Sequence, residues 1–473
     1  MNLAMHAELF SHGGAGEVTG SKHFLGVDGQ TVMVDCGAFQ GRRAEAEAKN
    51  RNWPFQASDI AATVLSHAHY DHCGALPRLP RNGFSGNIYA TAATRDLTSL
   101  VLRDSAHIQA KDLEFLAKRG KKRGEPVEKQ PLYTEHDVTR VMDHFVTVAY
   151  HRPFALTDRI RATFYDAGHI LGSAVTVLEA KSNGATLAIG FSGDLGRRSL
   201  PILRDPEVIP AVDFLVMEST YGNRLHAPID KASDALASAI NETAQRGGKV
   251  IIPAFAVERT QELIYLLNQL GQKKLIPKLP VYVDSPMAAN ATAIFQVHQE
   301  CFDDETRETF LAMHKDPFGF DDLHYVASVA ESKRLNSLRK PAIIISSSGM
   351  CEAGRILHHL LNNIENEKNT ILVVGYMAEN TLGRKIVEGQ REISIFGETR
   401  MLKTHVKVLN TFSGHADYND ILTYVGGLDR NRLRRIFLVH GEADAQAHLK
   451  GLLEQQRYAV TIVRPAEHYP LLS

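Results

Sequence analysis

The sequence is poor in several features that would place a chain in a specialised class of protein. It has 473 residues but one tryptophan and four cysteines, which show no CxxC spacing: Cys36, Cys73, Cys301 and Cys351. Scattered cysteines are typical of reduced thiols and argue against a disulfide framework or a cysteine-held zinc site. Charge is balanced too, at a formal net charge of −1, so bulk electrostatics does not indicate a nucleic-acid binder.

Long apolar runs are also missing. No stretch of about 18 apolar residues occurs, so no transmembrane helix is predicted. The N-terminal residues lack the charged and apolar regions of a signal peptide. We therefore expect a cytoplasmic protein with no membrane partner. The 473 residues, 44% of them hydrophobic, exceed what one compact core holds, which predicts two domains or one domain inserted into another.

Two kinds of pattern alternate along the chain. The first 220 residues or so are short apolar runs separated by Gly-rich turns, as at 31–34, 63–66, 160–164 and 186–191. From about residue 228, strands at 250–253, 281–284, 342–346 and 371–376 alternate with helical spacing. This alternation predicts a parallel sheet with helices on its faces. After about residue 395 the short strands and turns return.

One motif concentrates metal-binding side chains. The run His67-Ala68-His69-Tyr70-Asp71-His72 supplies four potential ligands within six residues. In an extended segment, residues i and i+2 point the same way, so His67 and His69 can bind one metal. A tight turn then brings Asp71 and His72 to a neighbouring position. Imidazole and carboxylate together suit Zn²⁺, with Mn²⁺ or Fe as competitors.

This motif alone does not complete two metal sites. Three further candidates, His169, Asp194 and His440, stand at turns directly after predicted strands or beside glycine. Taken singly, each of these residues could equally have a purely structural role. Together with the first motif they predict a two-metal hydrolase.

The combined set resembles the metal signature of the metallo-β-lactamase fold, a four-layer αβ/βα sandwich with a dinuclear site at one edge. The resemblance implies that His67, His69 and His169 bind the first metal. It implies that Asp71, His72 and His440 bind the second, with Asp194 bridging both. Asp35 would not bind metal itself but would hold a ligand or the bridging water in place by a hydrogen bond. The cofactor implied is two Zn²⁺ per chain, with Mn²⁺ as the alternative.

Two more motifs resemble the β-CASP subgroup, the nucleases of this fold. Met217-Glu218-Ser219-Thr220-Tyr221-Gly222 resembles its opening acidic motif, and Ser413-Gly414-His415-Ala416-Asp417 resembles its second, with His440 as the third. The resemblance implies an α/β β-CASP domain inserted into the metallo-β-lactamase domain. The expected bounds are 1–220 for the first part, 221–395 for the insertion and 396–473 for the completion. The chain most resembles the short bacterial relatives of the nuclease that cleaves pre-mRNA 3′ ends.

The implied activity is hydrolysis of phosphodiester bonds in single-stranded RNA. The sequence does not decide between internal cleavage, cleavage from the 5′ end, or both. The predicted catalytic residues are Asp71, His415 and Glu218. His415 would protonate the leaving oxygen, and Glu218 would keep it charged and oriented. RNA-acting members of the subgroup carry His at the third motif where DNA-repair members carry Val, so His440 favours RNA.

Phosphate-binding residues are predicted outside the metal motifs. Ser347, Ser348 and Gly349 follow a strand and precede a predicted helix at 353–363, a position where exposed N–H groups bind anions. Arg259 and Ser413 are further candidates. Phe255 and Tyr376 could stack on bases, but we assign them to the core. The basic run 118–124 is read as a flexible solvated loop or as a phosphate-contacting edge.

Other functions stay open at this point. The parent fold most often hydrolyses small esters, thioesters or lactones. A single-stranded DNA nuclease and a non-catalytic RNA-binding scaffold are further alternatives. The sequence does not decide between a monomer and a homodimer.

Overall fold

The computed structural model describes residues 5–123, 130–182, 184–226, 230–311, 316–375, 377, 381–409, 411 and 413–472. The chain divides into two compact units. The first comprises Met1–Arg198, Asp205–Leu225 and His415–Ser473, and the second comprises Ser199–Arg204 and His226–Gly414. Both ends of the chain therefore build the first unit.

The described residues contain twenty-two β-strands, which form three large sheets and one hairpin. Numbered in chain order, the strands are β1 Ala7–Ser11, β2 His23–Val27, β3 Gln30–Val34, β4 Ile60–Val64, β5 Asn87–Ala90, β6 Phe145–Thr147, β7 Phe154–Ala155, β8 Ile160–Asp166, β9 Ala174–Ser182, β10 Ala185–Phe191, β11 Phe214–Glu218, β12 Val250–Pro253, β13 Val281–Val283, β14 Leu323–Tyr325, β15 Ile343–Ser346, β16 Thr370–Val374, β17 Glu392–Ile395, β18 Glu398–Met401, β19 His405–Leu409, β20 Arg435–Val439, β21 Val460–Ile462 and β22 Tyr469–Leu472.

The same residues contain fourteen α-helices and two 3₁₀ turns, Ala57–Asp59 and Gln299–Cys301. Several helices begin at sequence-encoded caps: Thr134, Ser328 and Asp417 each form a capping box. None of the described helices combines the length and apolarity needed to span a bilayer. The helices are α1 Arg43–Arg51, α2 Tyr70–Cys73, α3 Arg78–Arg81, α4 Ala92–Arg123, α5 Glu135–Met142, α6 Asp230–Gln245, α7 Arg259–Gln272, α8 Pro286–Val297, α9 Asp304–Leu311, α10 Val329–Asn336, α11 Ile356–Asn363, α12 Leu382–Val387, α13 Tyr418–Gly426 and α14 Ala443–Gln455.

The first unit is a sandwich of two seven-stranded sheets. Their strand orders are β22-β1-β2-β3-β4-β5-β6 and β21-β20-β11-β10-β9-β8-β7. One apolar core joins both sheets, for example through Leu25 and Val64 on one side and Phe164 and Ile189 on the other. A second core packs α13 and α14 on the second sheet, and a third packs α4 and α5 on the first. These layers confirm the predicted four-layer αβ/βα sandwich.

Parallel pairing explains why distant motifs meet in this unit. Strands β3 and β4 are parallel, and so are β10, β11 and β20. The carboxyl ends of parallel neighbours lie at the same edge of a sheet. The residues that follow these strands are Asp35, His67, Asp194 and His440, and Glu218 closes β11. Sheet topology thus collects side chains that are far apart in sequence.

The second unit is built on a six-stranded sheet with the order β14-β13-β15-β12-β16-β19. All of its strand pairs are parallel, as the βαβα alternation predicts. Helix α11 packs on one face of the sheet, where Ile356 and Leu360 contact Ile371 and Val373. Because parallel sheets are covered on both faces, their strands read as continuous apolar runs such as Ile343–Ser346.

Three details differ from the sequence-based expectations. Strand β19 pairs with β16, so the second unit extends to Gly414 and the first resumes at His415 rather than at 396. Helix α4 continues through the basic run to Arg123, where a flexible loop was expected; Gly124 lies outside the described residues. Helix α11 begins at Ile356 rather than 353, because a turn occupies the residues after Ser346.

Candidate metal centre

The ligand motif lies where a strand turns into a short helix. Strand β4 ends at Val64, and α2 begins at Tyr70 with His69 as its N-cap. The amides of His72 and Cys73 both donate to the His69 carbonyl, at 2.9 Å. His67 and His69 therefore precede the helix, whereas Asp71 and His72 lie within it. This change of backbone direction separates the motif into two groups.

The first group joins His67, His69, His169 and Asp194, whose candidate ligand atoms lie within 4.8 Å of one another. His69 Nδ1 is 3.1 Å from His67 Nε2 and 3.2 Å from His169 Nε2. Asp194 Oδ2 is 3.4 Å from His67 Nε2. Three ring nitrogens and a carboxylate oxygen around one point are the ligand set and arrangement that zinc prefers.

The second group joins Asp71, His72 and His440. His72 Nε2 is 3.1 Å from His440 Nε2, and His440 Nε2 is 3.4 Å from Asp71 Oδ2. Asp194 Oδ1 is 3.2 Å from His72 Nε2. The two carboxylate oxygens of Asp194 thus face different groups, which is the arrangement expected of a bridging ligand.

The residues fit bound metal ions. Asp194 is 2% exposed, and its Oδ1 accepts no hydrogen bond from the described residues. An unsatisfied buried carboxylate oxygen is costly unless a cation neutralises it. In the first group, burial also lowers the pKa of His67 and His169, and it lowers that of His69 to about 3. Neutral imidazole is the form that binds metal.

Three of the histidines have a hydrogen-bonding partner at the ring nitrogen that faces away from the ligand group: Asp35 for His72, Ser66 for His67 and Thr220 for His440. His72 Nδ1 lies 2.7 Å from Asp35 Oδ2, and His67 Nδ1 lies 3.0 Å from Ser66 Oγ. The Ser66 hydroxyl donates to Asp35 Oδ2 at 2.8 Å. Asp35 therefore supports one histidine of each group, directly or through Ser66. Such outer contacts orient metal-binding imidazoles and raise their basicity.

Sequence reasoning missed two of these supports. Ser66 was assigned only to a strand, and Thr220 had no assigned role. Thr220 Oγ1 lies 3.0 Å from His440 Nδ1, while His440 Nε2 faces Asp71 and His72. Ser66 directly precedes the ligand motif and Thr220 lies in the Met217–Gly222 motif, but their contacts come from separate strands. Only the fold reveals them.

A third group places the Glu218–His415 pair beside Asp194. His415 Nδ1 is 3.3 Å from Glu218 Oε1 and 3.9 Å from Asp194 Oδ2. The Glu218 side chain is fully buried and accepts the Leu195 amide at 2.7 Å, whereas the His415 side chain is 22% exposed. Burial lowers the pKa of His415, but the carboxylates of Glu218 and Asp194 outweigh it and raise the pKa to about 9.

The predicted phosphate-binding residues lie in the second unit. Ser347, Ser348 and Gly349 form the turn after β15, where the Ser347 hydroxyl donates to Ser285 Oγ at 2.8 Å. Ser348 Oγ accepts the Glu352 amide at 3.1 Å. Arg259 is buried in α7 and forms an ion pair with Glu262. Ser413 lies directly before Gly414, the last residue of the second unit.

The sandwich fold and its two-group centre define the class of metallo-β-lactamase-fold metallo-hydrolases. Three family models match the chain. They are described as a metallo-beta-lactamase superfamily domain over 24–192, a Beta-Casp domain over 260–386 and a Zn-dependent metallo-hydrolase RNA specificity domain over 400–465.

Individual proteins agree with these models. The chain is 35% identical to Ribonuclease TTHA0252 of Thermus thermophilus over 97% of this chain and 99% of the relative. It is 32% identical to Transcription termination factor FttA of Methanocaldococcus jannaschii over 94% of this chain and 69% of the relative. An Enterococcus faecalis protein of unknown function shares the fold, with a TM-score of 0.56 at 11% identity over 98% of this chain and 100% of that one. The chain belongs to the β-CASP family of metallo-hydrolases.

Proposed function

We propose that this chain is a ribonuclease that uses two bound zinc ions to hydrolyse phosphodiester bonds of single-stranded RNA. The observation that carries the proposal is the Asp194 carboxylate, which faces both ligand groups and lies beside the Glu218–His415 pair. RNA as substrate is supported by the match to an RNA specificity model over 400–465 and by the relative named a ribonuclease.

Two groups of residues would hold the metals, with Asp194 shared between them. Zinc suits the donor set best, and Mn²⁺ is its competitor. When bound, two such ions supply Lewis-acid stabilisation of phosphoryl charge and a nucleophile at neutral pH. The first group is His67, His69 and His169, and the second is Asp71, His72 and His440.

The protein's own residues carry the proton transfer. Glu218 is buried and fixed by the Leu195 amide, so its carboxylate holds His415 Nδ1 in one orientation. The opposite ring nitrogen of His415, Nε2, then donates a proton to the leaving ribose oxygen. The 22% exposure of the His415 side chain, against none for Glu218, suits a group that meets substrate.

The second unit carries the residues predicted to bind phosphate. The turn from Ser347 to Gly349 offers hydroxyls, and the amides of Gly349 and Met350 donate to none of the described residues. Hydroxyls and unpaired amides together bind phosphate oxygens. Arg259 and Ser413 stay predictions. The Arg259 guanidinium forms an ion pair with Glu262.

The test compares metal-loaded protein on labelled RNA, single-stranded DNA and a thioester of the same concentration. We expect cleavage of the RNA and neither of the others. Thioester turnover without RNA cleavage would contradict the proposal and favour a small-molecule hydrolase. Products from RNA carrying a 5′-monophosphate or 5′-triphosphate would then separate internal cleavage, which we expect, from 5′-exonucleolytic trimming.

A further inference from the structure

One aromatic side chain in the second unit is exposed where the sequence suggested a core position. Phe255 follows β12 and is 49% exposed, whereas Ala254, Ala256 and Val257 around it are 1%, 7% and 9% exposed. A single exposed ring within a buried turn is held there by its neighbours. The assignment of Phe255 to the core was therefore wrong. The hydrophobicity of a residue and the spacing of its apolar neighbours do not reveal which way a side chain in a turn points.

The backbone of Phe255 is held in a fixed place. The Thr260 amide and hydroxyl both donate to the Phe255 carbonyl, at 3.2 and 2.7 Å. The Ala254 amide donates to the Ser346 carbonyl at 3.1 Å, which ties this turn to the end of β15. A rigid aromatic ring loses little conformational entropy when a ligand stacks on it.

The ring covers Gly349, the last residue of the predicted phosphate-binding turn. A Cβ atom placed on Gly349 would lie 2.8 Å from the Phe255 ring, so the two residues are in close contact. Ser347 and Ser348 directly precede this glycine. An aromatic surface and a group of hydroxyl and amide donors are thus adjacent, in the way that the base and phosphate of a nucleotide are adjacent.

Sheet topology places both turns at a site where α/β proteins bind ligands. Strands β12 and β15 are neighbours in the order β14-β13-β15-β12-β16-β19. The connection through α7 leads from β12 towards β13, while the connection through α11 leads from β15 towards β16, in the opposite direction. Ligands bind beyond the carboxyl ends of parallel strands at such a switch point.

Two carboxylates near the Ser347–Gly349 turn are engaged by other residues. Glu352 is the acidic residue of the turn, and its Oε1 accepts the Leu382 amide at 2.6 Å. Asp284 is buried and pairs with Arg355 at 2.6 Å. Both carboxylates are therefore engaged elsewhere.

We propose that Phe255 is a base-stacking residue, which binds one unpaired nucleobase of single-stranded RNA next to a phosphate held by the Ser347–Gly349 turn. This inference rests on the proposed ribonuclease function and names a substrate contact for it. Stacking on an aromatic ring tolerates any base, so the contact supplies affinity with little sequence preference.

The test combines a substitution in the protein with a base deletion in the RNA and asks whether their effects on binding are independent. Binding of a short phosphorothioate-linked RNA to the full metal-loaded chain is measured by fluorescence anisotropy, with an abasic nucleotide moved through each position. In the wild-type protein, one abasic position should weaken binding by roughly 5- to 100-fold. In Phe255→Ala, intact RNA should bind about that much more weakly, and the abasic penalty at that position should vanish.

Matched variants separate stacking from packing. Phe255→Tyr and Phe255→Trp should keep the penalty, whereas Phe255→Leu, which is apolar but has no π-face, should lose most of it. Phe396→Ala is the control, because Phe396 is also exposed, at 58%, and lies in the same unit. It should bind as the wild type does and keep the abasic penalty.

The outcomes are distinguishable. If the wild-type protein neither binds nor cleaves RNA, the proposed function fails, and this inference fails with it. If the wild type cleaves RNA but Phe255→Ala binds it equally well with the abasic penalty intact, the stacking inference alone is overturned.

Discussion

The metal centre of the first unit and the Ser347–Gly349 turn of the second use opposite kinds of side chain. The centre consists of imidazoles and carboxylates that are almost all buried; His67 and Glu218, for example, have no exposure. The turn consists of neutral hydroxyls and amides beside Phe255, which is half-exposed. One region consists mainly of buried ionisable groups, and the other of neutral groups nearer the surface.

This difference predicts how each region responds to substitution. Buried charges depend on one another, because each is stable only while its partners neutralise it. Neutral groups at a surface contribute smaller and more independent amounts. Changes at the centre should therefore abolish function, whereas changes at the turn should weaken binding by degrees.

The largest effect is expected from Asp194→Ala. This carboxylate faces both ligand groups, so its loss should remove bound zinc and RNA cleavage together. Metal content by mass spectrometry, measured beside cleavage of labelled RNA, checks the result. A variant that kept both metals would show that Asp194 does not bridge them and that the centre is less interdependent than we infer.

His415→Ala should slow RNA cleavage by roughly 10²–10⁴-fold, the contribution of a positioned general acid. Bound metal should stay in place, since His415 lies outside the two ligand groups. Single-turnover cleavage and metal content measure the two effects separately. Glu218→Gln, which keeps the shape of the partner but removes its charge, is the matched control and should cause a smaller loss. Full activity in His415→Ala would contradict the assignment.

Asp284→Asn should destabilise the second unit by about 2–4 kcal/mol, because a buried carboxylate holds Arg355, His359 and Ser332. Burial opposes ionisation, but these partners outweigh it and lower the pKa of Asp284. The stabilisation is therefore present above the unfolded carboxyl pKa of about 4 and is lost as pH falls through the folded value.

Urea unfolding from neutral to acid pH tests this expectation. The stability difference between the wild type and Asp284→Asn should shrink on acidification. A difference that stayed constant with pH would mean that the carboxylate charge contributes nothing. The result would also show whether the second unit, like the first, depends on buried charge beneath its neutral surface.

Asp35→Ala should weaken zinc binding by roughly 10–100-fold, as loss of an outer partner of metal-binding histidines does. Asp35 contacts His72 directly and reaches His67 through Ser66, so both sites should be affected. Competition with a chromogenic chelator measures each affinity. If zinc binding weakened only at the site that contains His72, the contact from Asp35 through Ser66 to His67 would contribute little to metal affinity.

The smallest effect is expected from Ser348→Ala. Loss of one hydroxyl contact to phosphate should weaken RNA binding by about fivefold, which corresponds to roughly 1 kcal/mol. Anisotropy with phosphorothioate RNA would detect it, and Ser337→Ala, an exposed serine on the same unit, serves as the control. A loss of RNA binding by about 100-fold or more would contradict the expectation that the turn contributes in small, independent amounts.

The fold was largely readable from the sequence, because its local signals agree with one another. Val250–Pro253 is a strand with the predicted bounds, and Asp230–Gln245 and Arg259–Gln272 are among the helices that alternate with the strands as predicted. The family membership was predicted from motifs and confirmed by the comparisons. Errors arose at turns and element ends, as at the start of α11, where backbone geometry and not hydrophobic period decides.

The sequence by itself determined the chemistry available to this protein, since His67, His69, Asp71 and His72 place four potential metal ligands within six residues. Only the tertiary structure decided how that chemistry is arranged. Parallel strand pairing carried Asp194, Glu218 and His440 to one edge, and Ser66 and Thr220 became supports through that pairing. Phe255 is exposed for the same reason: contacts between distant segments, which no local pattern encodes, determine which side of a turn faces water.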